Sequence, residues 1–234
     1  MKVWIPTEEE IETMTKEGIK KFWSARKDSA SVREGKTLDG IVDLLKEILI
    51  KNDITEEEIH IVKGAVTLPG YFRPTKQWDI VVVRELDNNQ KQLIAAIELK
   101  SQIGSLGNNF NNRTEEAMGS SLDILTAYRE GAFGLPKPWL GYLVLLEGSE
   151  ESIKPRKVNS KHFEVFKEFK DDPSFAKRYE IFCEKLMREG LYDSCCLILA
   201  DKYRTEEGIF TETTFSLSMD AFIRSLVGHL ISFK

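Results

Sequence analysis

Apolar residues recur at helical spacing near both ends of the chain and form continuous runs through its middle, a pattern that predicts helices around a buried sheet. Thr7-Glu8-Glu9-Glu10 has capping-box spacing ahead of Ile11, Met14, Phe22 and Trp23, which predicts a helix from about Glu8 to Arg26. Lys27–Gly35 is polar and breaks the pattern. Thr37 is placed to cap a second helix, Leu38 to about Ile50, whose stripe is Leu38, Ile41, Val42, Leu45, Ile48 and Leu49; Asn52-Asp53 ends it. Thr55–Glu58 is a short capping signal before a strand at Ile59–Val62, and Leu68–Lys76, with two prolines and Gly70, reads as a loop. Two apolar β-like runs follow, Ile80–Val83 and Leu93–Ile97, around a turn at Asp87-Asn88-Asn89.

Ser101–Arg113 shows no periodicity and reads as a loop. Thr114–Glu130 is predicted as a helix with Ala117, Leu122, Leu125 and Tyr128 inward, ended by GAFGLPKP. Trp139–Leu146 is a buried strand and Ser149–Lys161 a polar loop. Phe163, Phe166 and Phe169 predict a short helix, and Ser174–Glu189 a longer one stopped by Gly190. Tyr192–Ala200 and Ile209–Phe215 are further strands, and Ser218 caps a last helix. That helix is a candidate for either a dimer interface or the core. No repeat, low-complexity tract or linker-like shift divides the chain, so residues 1–234 are expected to form a single α/β domain.

Composition adds exclusions. The 234 residues are 41% hydrophobic and 30% charged, as in ordinary soluble proteins. No apolar run reaches the length of a membrane helix, and the start, MKVWIPTEEE, is acidic, so a cytoplasmic protein is expected. Cys183, Cys195 and Cys196 show no metal-ligand spacing and are expected to be buried and reduced. A net charge of −5 argues against a basic DNA coat, although Lys154–Arg178 holds eight basic residues against four acids, either a solvated face or a phosphate track. P-loop, G-x-S-x-G and H-E-x-x-H motifs are absent, and His60, His162 and His229 are scattered.

Candidate chemistry concentrates between Trp78 and Lys100. A two-residue loop at Asn88-Asn89 pairs residues whose numbers sum to 177, which sets Asp79 opposite Glu98. Lys100 shares the face of Glu98 because strand period is two. Facing carboxylates repel unless a cation joins them, and Mg²⁺ suits one or two carboxylates with phosphate and water. Asp79, Glu98 and the Leu99 carbonyl are the candidate metal ligands. Lys100 is placed to position the attacking water or to offset charge in phosphodiester hydrolysis, and the small Ala96 leaves room beside them. The plainer alternative is an amphipathic hairpin with a charged end. Directly after this strand, NNFNNR offers amides and a guanidinium of the kind that read adenine and guanine, or simply a turn-rich loop.

Asp79 followed by Glu98-Leu99-Lys100 matches the PD-(D/E)xK nuclease signature, with Trp78 where a proline commonly precedes the acid. The blocks LPGYFRPTKQWDIVVV, AAIELKSQIGSLGNNFNNRTEEAMGSSLDILTAYREGAFG, PWLGYLVLLE, RYEIFCEKL and LYDSCCLIL are more specific. Together they resemble the XhoI family of type II restriction endonucleases, from about Lys36 to Leu199. The resemblance implies a restriction-endonuclease-like fold, a mixed central β-sheet flanked by helices. It implies a homodimeric, Mg²⁺-dependent enzyme cutting palindromic double-stranded DNA at 5′-CTCGAG after the first C of each strand, leaving four-base 5′ overhangs. A DNA methyltransferase of the same specificity would protect the prokaryotic host. Asp79 and Glu98 carry over as metal ligands and Lys100 as the catalytic lysine; Asp39 or Asp43 is a candidate for the further acid that an early helix often supplies in such nucleases. Asn108, Asn109, Asn111, Asn112 and Arg113 lead the candidates for DNA contact, followed by Arg73 and Lys76. The competing readings are an inactive DNA-binding protein on the same fold and a structure-specific repair nuclease.

Overall fold

A computed structural model describes residues 3–27, 36–61, 66–87 and 89–233, without the side chains of Lys36 and Asn108. The polar segment 28–35, the expected strand end at Val62 and the turn residue Asn88 lie outside the described residues.

The chain forms α1 (Glu8–Lys27), α2 (Asp39–Lys51), β1 (Ile59–His60), β2 (Thr67–Pro69), β3 (Thr75–Gln77), β4 (Ile80–Glu85) and β5 (Lys91–Gln102). Next come α3 (Leu106–Arg129), β6 (Trp139–Gly148), α4 (Glu150–Ile153), α5 (Phe175–Arg188), β7 (Ser194–Asp201), β8 (Phe210–Glu212) and α6 (Met219–Leu230). Among the described residues one sheet runs in the order β1-β4-β5-β6-β7-β8, and β2 and β3 form a separate two-stranded ribbon. β5, β6 and β7 are parallel neighbours and the outer pairings are antiparallel, so the sheet is mixed.

Side-chain alternation divides the core in two. Ile80, Val82, Ile97 and Leu99 face a layer with the apolar stripes of α1, α2 and α6. Val81, Ala96, Tyr142 and Val144 face a second layer with α3 and α5. The central strands β5–β7 are covered on both faces, which is why they read as unbroken apolar runs rather than alternating ones. Helix α6 buries Met219, Phe222, Ile223, Leu226, Val227 and Leu230 in the first layer and is a core helix.

Several expectations are corrected. The ribbon β2–β3 replaces the loop expected at Leu68–Lys76, its prolines lying at a strand end and in the tip, where Pro is tolerated. Thr37 does not cap α2: the helix is entered through a 3₁₀ turn, Lys36–Leu38, and Leu38 occupies the cap position without a side-chain bond. Phe163 and Phe166 are exposed, and only Lys167–Phe169 forms a 3₁₀ turn there. Leu122 is 47% exposed, and Ala117, Ile124 and Ala127 form the buried stripe of α3 in its place.

The largest correction concerns the asparagine run. It is not a loop: α3 starts at Leu106 and carries Asn109, Asn111 and Asn112 in its first turns. Gly104 and Ser105, at φ 62° and 43°, make the turn from β5. The helix is fixed by the i,i+4 pair Leu106 and Phe110, the latter packed edge to face on Tyr179 at 5.0 Å, so tertiary packing overrides the turn preference of asparagine.

Candidate active site

The hairpin of β4 and β5 reaches the expected register by a different route. Leu86 N–H donates to Gln90 O at 2.8 Å, closing a three-residue loop, and Asn89 takes the left-handed conformation usual at its third position. Near the loop, paired numbers therefore sum to 176, as in Arg84 with Gln92. A register shift between Val82 and Val83, opposite Ile94, restores 177 at Ile80 with Ile97. Ile94 and Ala95 consequently both face the first core layer, as a one-residue bulge requires. The bulge offsets the longer loop, and Asp79 and Glu98 arrive at the same end of the sheet.

Asp79 lies just before β4. Its N–H donates to Ile97 O at 3.1 Å, and its Oδ2 accepts the Leu99 N–H at 2.7 Å. Glu98 is 2% exposed on the α3–α5 face of the sheet. Its Oε1 accepts from Lys100 Nζ at 2.7 Å and from Lys76 Nζ at 3.1 Å. The Tyr192 hydroxyl lies 3.4 Å from its Oε2 and 3.2 Å from the Ala117 carbonyl of α3. Burial pushes the Glu98 carboxyl up, but the charges of Lys100 and Lys76 outweigh it and hold the group below its ordinary range. For Asp79 burial wins over the Leu99 N–H and Lys100, and its carboxyl is raised. Burial also lowers the Lys76 ammonium, against the pull of Glu98.

This is an anionic pair with too much positive charge on one member and too little on the other. Glu98 is neutralised by two ammoniums, whereas Asp79 is a desolvated carboxylate held mainly by a backbone N–H. The donor set is hard oxygen throughout. N–H and C=O of one strand residue leave the same edge, so the Leu99 carbonyl emerges on the Asp79 side, past the first residue of β4. Among the described residues no group of three or more His, Cys, Asp or Glu gathers to hold a metal. The chain thus offers two carboxylates and a carbonyl, which fits a cation that keeps several waters and phosphate oxygens, as Mg²⁺ does, and does not fit a closed zinc cage.

The other predicted residues divide. Lys76 joins the site directly, and its ammonium also lies 4.5 Å from the Trp78 ring centroid. Arg73 is turned to the protein: its Nε donates to Asp123 Oδ2 at 2.7 Å. Asn111 and Asn112 are exposed, Asn109 is half-buried, and Arg113 pairs with Glu116 at 2.7 Å. Ala96 is fully buried in the second core layer rather than facing open space. Asp43 pairs with Lys21, Asp39 is exposed at the start of α2, and the buried stripe of that helix packs on the sheet face opposite Glu98. In the basic stretch, Lys154 and Arg156 pair with Glu151, Lys170 with Glu164 and Lys177 with Glu180, so much of its charge is compensated locally.

Two buried side chains that hold the site and the adjoining ribbon carry no motif or spacing signal of that role in the sequence. Tyr192 sits in an apolar strand signal, and nothing in its spacing links it to Glu98, 94 positions away. Asp123 lies among the apolar residues of α3, where a buried acid is a signal worth reading. Its Oδ1 accepts Tyr71 N–H and Phe72 N–H, both at 2.7 Å, besides Arg73 at Oδ2. Burial works upward on its carboxyl, but the Phe72 N–H, Arg73 and the Tyr71 N–H hold it below its ordinary value. Its contribution to stability is therefore present above the ordinary aspartate range and lost as pH falls through the lowered value. Asp123→Ala leaves two N–H groups and a guanidinium without their acceptor; denaturant unfolding at neutral pH is expected to show a loss of about 1–3 kcal/mol, with a shallower acid-side decline than in the unsubstituted protein.

Comparison with known proteins gives a consistent answer. A family model described as restriction endonuclease XhoI matches residues 19–212. The type II restriction enzyme BstVI of Geobacillus stearothermophilus is 48% identical over 202 residues, covering 86% of this chain and 89% of that one. The type II restriction enzyme XhoI of Xanthomonas vasicola is 40% identical over 199 residues, 77% of each chain. The type II restriction enzyme AbrI of Azospirillum brasilense is 40% identical over 182 residues, 71% of this chain and 80% of its own. No solved structure matches. With most of its length matched and the acids and lysine of its central hairpin gathered at one end of the sheet, this chain belongs to the XhoI family of restriction endonucleases.

Proposed function

We propose that the protein is a type II restriction endonuclease that hydrolyses double-stranded DNA at 5′-CTCGAG with Mg²⁺, on a single restriction-endonuclease-like (PD-(D/E)xK) domain spanning residues 1–234. The observation that carries the reading is the convergence of Asp79, Glu98 and Lys100 at one end of a buried sheet, in a chain nearly half identical to a type II restriction enzyme. Asp79, Glu98 and the Leu99 carbonyl would hold Mg²⁺, which supplies polarisation of the scissile phosphate and a lowered pKa for its bound water.

The chain's own groups do the rest. Lys100 holds its ammonium on the Glu98 face, where it offsets charge developing on the phosphoryl oxygens. Tyr192, whose one hydroxyl proton lies between the Ala117 carbonyl of α3 and Glu98 Oε2, backs the second oxygen of Glu98. Asn111 and Asn112 precede Ala117 by five or six residues, about 8 Å of helix axis, so one helix carries both a brace of the cutting centre and the exposed amides. These amides, with Asn108, Asn109 and Arg113, would be the readers; Lys76 would position the phosphate backbone, and Arg73, paired with Asp123, would hold the ribbon beside it. A palindromic target asks for a two-fold homodimer. The enzyme would act in the cytoplasm of a prokaryote beside a methyltransferase of the same specificity, with no stable complex between them.

The test is incubation with Mg²⁺ and a plasmid carrying one CTCGAG. A single linear product is expected. Binding without cleavage would mark an inactive DNA-binding protein, and ladders or end-trimming a structure-specific nuclease. Asn111→Ala and Arg113→Ala are expected to lower discrimination between CTCGAG and its single-base variants by about 1–3 kcal/mol each; competition cleavage showing unchanged discrimination in both would remove the start of α3 from the reading surface.

A further inference from the structure

The ribbon β2–β3 ends in two large aromatic side chains turned away from the protein. Tyr71 is 55% exposed and Phe72 67%, and their rings meet edge to face at 5.0 Å. Such exposure gains the fold little. Yet the backbone beneath them is held more firmly than an ordinary loop. Asp123 accepts both of their N–H groups and Arg73 Nε, and Gly70 N–H donates to Pro74 O at 3.3 Å. Gly70 has no space for a side chain: a Cβ there would lie 2.4 Å from Asp123 Oδ2 and 2.7 Å from Arg73 O. A carboxylate on α3 is thus committed to fixing the backbone that carries two rings the core does not use. Rigid presentation of exposed apolar groups is a property of binding surfaces, because the ordering cost is met before the partner arrives.

The partner follows from the position of the ribbon. Thr75–Gln77 continues directly from the tip, and Lys76 of that strand contacts Glu98. Phe72 is four residues from Lys76, within about 13 Å of extended chain. A duplex with a phosphate at Glu98 and Lys100 would pass beside the tip, which the ion pair of Arg73 with Asp123 holds in place. Apolar side chains presented to DNA in this way unstack base steps and bend the duplex.

We propose that Phe72, supported by Tyr71, is a wedge that enters a base step close to the cleaved bond and deforms the DNA so that its phosphate reaches Glu98 and Lys100. The proposal rests on the nuclease reading above, and the test separates the two. Wild type, Phe72→Ala and Phe72→Trp are compared on CTCGAG duplexes carrying 2-aminopurine at the site's adenine or, in separate duplexes, at flanking steps. Fluorescence is read in EDTA, where no cleavage is required, and single-turnover cleavage is read with Mg²⁺. Wild type is expected to raise the fluorescence at one step. Phe72→Ala loses the rise and cuts about tenfold more slowly, the cost of removing one aromatic–base stack, and Phe72→Trp restores both. Wild type that raises fluorescence but never cuts supports the wedge and sinks the nuclease reading. Cleavage by wild type with no fluorescence rise at any step, or a rise and a cleavage rate unchanged in Phe72→Ala, overturns the wedge. So does a Phe72→Ala protein that light scattering finds monomeric where wild type is dimeric, which assigns the tip to self-association.

Discussion

Glu98→Gln is expected to bind CTCGAG duplexes and leave them uncut. Glutamine keeps the volume of the buried side chain, and its amide oxygen can still accept from Lys100 or Tyr192. It has no charge with which to hold a divalent cation, whose contribution to such a reaction is several kcal/mol, on the order of 10³-fold in rate. The substitution also removes the anion that both ammoniums face. Losing one partner of a buried ion pair costs about 3–5 kcal/mol, reduced here because Lys76 is already pulled towards its neutral form by burial. A lower melting temperature should therefore accompany the loss of cleavage. The pH dependence has a definite sign. The Glu98 carboxyl is lowered in the folded protein, so its stabilisation is present above the ordinary glutamate range and is lost as pH falls through the lowered value. The gap in melting temperature between wild type and Glu98→Gln should close on acidification. Single-turnover cleavage at the normal rate by Glu98→Gln would remove Glu98 from the metal site.

Asp79→Asn should lose cleavage to a similar extent and yet not lose stability. Asparagine supplies the oxygen that accepts the Leu99 N–H. What it removes is a desolvated charge: the folded protein raises the Asp79 carboxyl, so it holds that proton more tightly than the unfolded chain does. The ionised form of Asp79 then costs stability at neutral pH, and the cost appears as pH rises through the raised value. Metal-free Asp79→Asn is therefore expected to melt at or above the temperature of wild type at pH 7, with the two converging towards acid. A substantial fall in metal-free melting temperature at pH 7 would contradict this electrostatic account of the site. The opposite stability effects of Glu98→Gln and Asp79→Asn, together with a shared loss of activity, distinguish a cutting centre from carboxylates that serve only to stabilise the fold, each of whose replacement would weaken it.

Much of this was legible in the residues. The helices α1, α5 and α6 announce themselves by capping signals and stripes; Thr7 and Ser218 make the expected cap bonds, to Glu10 and Ala221. The buried strands β5–β7 announce themselves by length and apolarity. The facing of the two acids was derivable only through an offset, because neither a three-residue loop nor a bulge at Ile94 leaves a mark that composition alone reveals. The start of α3 was not legible: its asparagines favour turns locally, and the partners that override them, Tyr179 and Phe182 of α5, are about 70 residues away in sequence. Long-range packing likewise hid Tyr192 and Asp123. The convergence of Asp79, Glu98 and Lys100 could be read from one hairpin because these residues are close in sequence, whereas the groups that hold them arrive from other elements.

The sharpest single measurement is the sequence of both termini of the product formed from a plasmid carrying one CTCGAG in the presence of Mg²⁺. Cleavage after the first C of each strand, leaving four-base 5′ overhangs of TCGA, is the predicted result. Termini scattered along the plasmid, or fixed at a different sequence, would contradict it.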